Sequence, residues 1–159
     1  MLMDEREIVS RSEAPPIALW IIAGLAVAPF PIAAGAYGYG PPNLARPALT
    51  IILSWSAVVL SFLGGVRWGM ETGLSSPRWH RQVISVTSAV VAWLLMLARH
   101  RWPDSWIVAG LIAAFLLQWL FDHQAPDVPA RYPALSTLLT AAACVSLAVC
   151  LDTAIHAPA

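Results

Sequence analysis

Lysine is absent from this chain, and charge of either sign is scarce. All nine basic residues are Arg, nine acids balance them, and charged residues make up 11% of the 159 positions. Arg codons are GC-rich and Lys codons are not, so the missing lysine reflects coding bias rather than a function. A soluble domain carries about 25% charged residues, so this chain lacks the polar coat that water requires. That excludes a soluble enzyme and a disordered chain. No basic block is present to hold a phosphate backbone or an anionic lipid surface, so a nucleic-acid binder is excluded too.

Cysteine is almost as rare. Cys144 and Cys150 lie on one expected helix, where six residues of rise separate them by about 9 Å, beyond disulfide reach. They read as small apolar core residues and say nothing about redox compartment. Catalytic signatures are missing as well. No Gly-x-Ser-x-Gly, no phosphate-cradling loop and no His-Glu-x-x-His occurs. His80, His100, His123 and His156 fall in expected loops or tails. His80, Glu71, Asp122 and His123 share one expected face, but no ligand spacing ties them into a metal site. No catalytic residue, cofactor or metal ligand is assigned.

What the chain has is hydrocarbon. Hydrophobic residues make up 58% of it, and its mean hydropathy is +0.68. Five windows are free of Asp, Glu and Arg: 15–45, 47–66, 82–98, 105–121 and 132–151. A membrane helix needs roughly 17–25 apolar residues, so each window spans a bilayer or nearly does. The expected architecture is all-α: a polytopic bundle of five transmembrane helices at about 15–36, 47–69, 82–97, 104–121 and 132–151. A polar tail, 1–14, precedes this 15–151 domain and a short tail, 152–159, follows it. The first tail holds Asp4, Glu5, Glu7 and Glu13 against Arg6 and Arg11. A signal peptide wants a positive start, so cleavage of the first helix is not expected.

Within the first helix, Pro29 and Pro31 each remove a backbone donor and crowd the preceding turn, which predicts a kink near Phe30. In the second, Ala57, Ser61, Gly65 and Gly69 recur every four residues and so line one face, which Gly64 widens. Small residues at that spacing let helix backbones approach closely. The second helix is therefore expected to be the central packing element. Ser85, Ser88, Ala89 and Ala92 fall on one side of the third helix. Ser136, Thr140 and Cys144 form a stripe on the fifth that suits the bundle interior. Trp20, Tyr37, Tyr39, Trp68, Trp102, Trp106, Trp119 and Tyr132 fall near expected helix ends, where amphipathic rings favour the headgroup layer. Trp55 lies about two turns inside the second helix and needs a hydrogen-bond acceptor there, for which a Ser or Thr on a neighbouring helix is the expected source.

Five crossings put the termini on opposite sides. Arg6, Arg11, Arg78, Arg81 and Arg131, with Arg67 nearby, share the N-terminal side, against Arg46, Arg99 and Arg101 on the other. The excess favours a cytoplasmic N-terminus and an outside C-terminus, in a bacterial inner membrane. Arg67 is the charge nearest membrane depth, where ionisable groups are expensive. Trp68 stands beside it and Glu71 at i+4 can pair with it. Arg67, Trp68 and Glu71 therefore form a candidate polar site for an anion or a headgroup.

With those residues in view, Leu60-Ser-Phe-Leu-Gly-Gly-Val-Arg-Trp-Gly69 resembles the Ser-Phe-Leu-Gly-Gly-(Ile/Val)-(Arg/His)-Trp-Gly signature of the transmembrane protein 69-like family of small membrane proteins. Gly24-Leu25 with Pro29-Phe30 is similar to that family's first helix, and Ala92-Trp93 to its third. Pro129-x-x-Tyr132-x-x-Leu135 resembles its Pro-x-x-(aromatic)-x-x-Leu-Arg segment, with Ser136 in place of the Arg. The resemblance implies a five-helix membrane protein and no established activity. The expected role is a non-catalytic accessory or assembly component that meets a membrane-protein partner, or a second copy of itself, through helix contacts in the lipid bilayer. The alternative is a small-solute or ion transporter using the Pro29/Pro31 break and Arg67.

Overall fold

In the computed structural model of the chain, the described residues are 16–73, 76, 78–124 and 132–156. The expected polar tail 1–14, Pro126, Pro129 and Arg131 lie outside them. Six helices occur among the described residues: α1 (Pro16–Val27), α2 (Pro29–Tyr39), α3 (Pro42–Thr72), α4 (Trp79–Ala98), α5 (Asp104–His123) and α6 (Tyr132–His156). Together they make five spans long and apolar enough to cross a membrane, because α1 and α2 join in one span, Trp20–Tyr39. The protein is an all-α bundle of five such spans.

The two halves of the first span separate at Ala28, where prolines 29 and 31 withhold their N–H groups. Helical bonding continues on either side: Ala28 N–H donates to Gly24 O at 2.9 Å and Ile32 N–H to Ala28 O at 3.4 Å. Phe30, fully buried, fills the bend and meets Phe115 of α5 edge-on, with ring centroids 6.2 Å apart at 79°. Trp55 finds its partner at this same bend. Its Nε1–H donates to the carbonyl of Ala26 at 3.0 Å, so the acceptor is backbone beside the proline break rather than a hydroxyl.

Four spans run past the charge-free windows. α3 opens on Pro42, five residues before Pro47, because proline suits a first turn and Pro47 within the helix removes one further bond. α4 takes in His80 and Arg81, α5 takes in Asp122 and His123, and α6 continues to His156. The expected C-terminal tail thus begins as helix, with an Asp152–His156 contact of 3.3 Å at i,i+4. Windows drawn by the absence of charge stop at the first charged residue, whereas helices continue through the interface.

α3 is the hub, in contact with α2, α4, α5 and α6. Its inward face carries Ile52, Leu53, Ser56, Leu60, Leu63 and Gly64. At Gly64 the backbones of α3 and α4 come closest: an added Cβ would collide with Ser88 Oγ and the Ser85 carbonyl. Both serines are buried and satisfied, Ser85 Oγ donating to Arg81 O at 2.8 Å and Ser88 Oγ to Ser85 O at 3.0 Å. The outer surface is apolar: Ile22, Ile32, Val58, Phe62, Trp93, Leu117 and Val145 are all exposed. A sleeve of that kind has hydrocarbon as its solvent.

Candidate functional site

Polar side chains gather at one end of the bundle, near the α3–α4 connection. Asp122, in the last turn of α5, has no solvent exposure and is surrounded by donors. Gln118 Nε2 donates to Oδ1 at 3.1 Å, Tyr132 Oη to Oδ2 at 3.0 Å and Ser136 Oγ to Oδ2 at 2.6 Å. Arg67 of α3 supplies the countercharge, its Nε 3.4 Å from Oδ1, with the Arg67 side chain only 12% exposed. A carboxylate offers about four acceptor positions, so this one is fully engaged. Helical spacing builds the arrangement. Gln118 and Asp122 are i,i+4 on α5, and Tyr132 and Ser136 are i,i+4 on α6, so both pairs face one another across a single helix contact. The cluster fastens α3, α5 and α6 together.

The expected trio of Arg67, Trp68 and Glu71 does not converge. Arg67 turns inward to Asp122. Trp68 is half-exposed on the outer surface beside Trp79 and Val83. Glu71 pairs with Arg78 instead, accepting from its Nε at 2.9 Å and from its backbone N–H at 3.0 Å. Sequence neighbours on a helix diverge by about 100° per residue, so Trp68 cannot follow Arg67 into the core. The helix-packing residues also divide. Gly64 faces α4, whereas Gly65 and Gly69 are exposed, with open space where a Cβ would stand, and Ala57 and Ser61 are half-buried.

Tyr132 was expected in the headgroup layer with the other end-placed aromatics, and it points inward because Asp122 accepts its hydroxyl proton. Ser136 and Thr140 are buried and Cys144 is half-buried, so their stripe lies toward the interior. The Ser136 position, where the family resemblance leads one to expect Arg, still addresses the Asp122 carboxylate through its hydroxyl. His123 stays on the surface, its ring centroid 4.4 Å from that of Trp119 with the planes tilted by 42°. Among the described residues no three His, Cys, Asp or Glu side chains stand close enough to hold a metal ion.

Beside the Arg67–Asp122 pair lies a cavity of about 180 Å³, lined by Arg67, His80, Arg81, Ile84, Ser85, Gln118, Phe121 and Gln124. Arg67 is reached from both sides: Nε faces Asp122, and the guanidinium also borders the cavity. The sequence places Asp122 on one face with Glu71, His80 and His123 but does not reveal its partners Gln118, Tyr132, Ser136 and Arg67, because Asp122 falls one residue beyond a charge-free window. The signal was available in the matched i,i+4 polar pairs, Gln118/Asp122 and Tyr132/Ser136.

A five-span bundle with a buried ion pair and an apolar outer surface defines a polytopic integral membrane protein. This chain belongs to the family described as protein of unknown function (DUF3429), which matches residues 15–151. It is also 31% identical over 148 residues to transmembrane protein 69 of Xenopus tropicalis, covering 89% of this chain and 56% of the relative. The chain thus spans little more than half the length of that relative. No solved structure matches it.

Proposed function

We propose that this protein is a non-catalytic accessory or assembly component that acts through helix contacts with a membrane-protein partner or with a second copy of itself. The observation that carries the reading is the outward face of α3. Gly65 and Gly69 have open space at their Cβ positions, and the half-buried Ser61 extends the same row, while Ala57 at its far end packs against the core. Gly64, one residue away, already serves close packing within the bundle. Small residues on a lipid-facing surface give up dispersion contacts with acyl chains and regain them when another backbone approaches. The transport alternative draws no such support. Phe30 fills the proline break, Trp55 takes the Ala26 carbonyl beside it, and the Arg67 charge is balanced by Asp122.

In this reading the protein resides in a bacterial inner membrane, with the Arg67–Asp122 end on the cytoplasmic side and the C-terminus outside. The excess of Arg on the N-terminal side supports that orientation. The test is recovery of the tagged protein at native level in mild detergent. Gly65→Leu should abolish co-purification of the partner or second copy while leaving insertion intact. Retention of every co-purifying protein by Gly65→Leu and Gly69→Leu would refute the interface. Solute flux through liposomes holding the pure protein, lost in Arg67→Ala, would establish transport in its place.

A further inference from the structure

The cavity beside Arg67 has an apolar neighbour. A second cavity, of about 190 Å³, runs between α4 and α5 and is lined by Ile84, Thr87, Ser88, Val91, Ala114, Leu117, Gln118 and Phe121. Ile84, Gln118 and Phe121 belong to both. A basic, polar mouth at the end of the bundle therefore adjoins an apolar slot between two spans. We propose that it binds an anionic phospholipid, with the phosphate against Arg81 and Arg67 and one acyl chain between α4 and α5.

The charges at the mouth match this occupant. Arg67 and Arg81 border the cavity together with the His80 imidazole. Asp122 faces Arg67, and Glu71 is held by Arg78. Arg81 has no ion pair within 4 Å among the described residues and shares the Glu71 carboxylate's field with Arg78, so Arg67, Arg78 and Arg81 outnumber Asp122 and Glu71 at this end by one positive charge. Beyond its Nε contact, the Arg67 guanidinium makes no hydrogen bond among the described residues, so its terminal N–H donors remain for a ligand. Guanidinium groups favour phosphate oxygens through paired donors. Arg81 lies in the first turn of α4 and Arg67 five residues before the end of α3, positions from which Arg side chains snorkel toward lipid phosphates. A free phosphate would satisfy the mouth, but it would leave the slot without a role. The apolar slot adjoining the mouth selects the lipid.

Binding of fluorescent dioleoyl phosphatidylglycerol to the intact protein in dodecyl maltoside micelles tests the proposal, with dioleoyl phosphatidylcholine and inorganic phosphate as comparisons. Phosphatidylglycerol should bind in preference to phosphatidylcholine. Arg81→Gln should weaken it about five- to tenfold, the effect of one basic residue on an anionic lipid, and Arg81→Lys should keep most of the affinity. Thr87→Trp, which narrows the slot from an exposed position, should weaken lipid binding with the mouth intact. Monodisperse elution and unchanged helical circular dichroism of each variant exclude misfolding as the cause. Equal binding of both lipids, or no change in Arg81→Gln, overturns the site. Full competition by inorganic phosphate with no effect of Thr87→Trp overturns the lipid in favour of a free anion.

Discussion

Asp122→Ala should be the most damaging polar substitution in the protein, and its cost can be built from the cluster around the carboxylate. Three neutral donors, Gln118, Tyr132 and Ser136, lose their acceptor, and Arg67, 12% exposed, loses its countercharge. Hydrogen bonds between membrane helices average about 0.6 kcal/mol, so those from Tyr132 and Ser136 account for roughly 1 kcal/mol, and the Gln118 bond, within α5, adds to this without joining helices. Removing one partner of a buried ion pair costs about 3–5 kcal/mol in all, and the remainder comes from the stranded guanidinium. The neighbouring cavity lets water reach Arg67, which keeps the total near the lower end. Arg67→Met should cost less, because Asp122 keeps three donors when Arg67 is gone. The double variant Arg67→Met/Asp122→Ala should be more stable than the sum of the singles by about 1–3 kcal/mol, since neither variant site then holds a lone charge. Reversible unfolding in bicelles, followed by steric trapping, reads all four corners of the cycle. Additivity within about 0.5 kcal/mol would refute the coupling, and with it the claim that this pair fastens α3 to α5.

Gly64 and Gly65 should respond oppositely to the same change. Gly64→Ala forces a methyl into Ser88 and the Ser85 carbonyl and should cost about 1–3 kcal/mol, whereas Gly65→Ala meets open space and should be neutral or slightly stabilising in the isolated protein. Equal effects in the same unfolding assay would mean that α4 does not pack on Gly64. Trp55→Phe removes the indole donor from the Ala26 carbonyl and should destabilise by about 1 kcal/mol, with loss of the blue-shifted component of indole emission. Phe30→Ala empties the bend in the first span, where the ring is fully buried against Phe115. It should cost about 3–5 kcal/mol, and a cost under 1 kcal/mol would show that the bend is not packed.

The spans were legible because membrane insertion depends on a quantity that sequence displays directly, the length of an uncharged apolar run. The same quantity concealed the polar cluster. Asp122 ended a window and so was assigned to a loop, yet α5 carries it one residue further and turns it inward beside Gln118. Arg67 stands out in the sequence as the charge nearest a predicted span's interior, but its partner lies 55 positions away on another helix. No local pairing rule reaches that far, and Glu71 at i+4 was the nearest acid such a rule could offer. The small-residue period in α3 revealed a smooth face without telling which helix would cover it. Gly64, which was expected only to widen that face, turned out to be where α4 docks. Likewise, no basic block exists in the sequence, because Arg67 and Arg81 come from different helices and meet only at the cavity.

Chain topology gives the most direct test of the five-span architecture. In a Cys144→Ala/Cys150→Ala background, single cysteines at Tyr39, Ser76, Arg101 and Gln124, all exposed at helix ends, are labelled with a membrane-impermeant maleimide in sealed, oriented vesicles. Tyr39→Cys and Arg101→Cys should react from one side, and Ser76→Cys and Gln124→Cys only from the other. Labelling of Tyr39→Cys and Ser76→Cys from the same side would mean that α3 does not cross the bilayer, and the five-span architecture would fail.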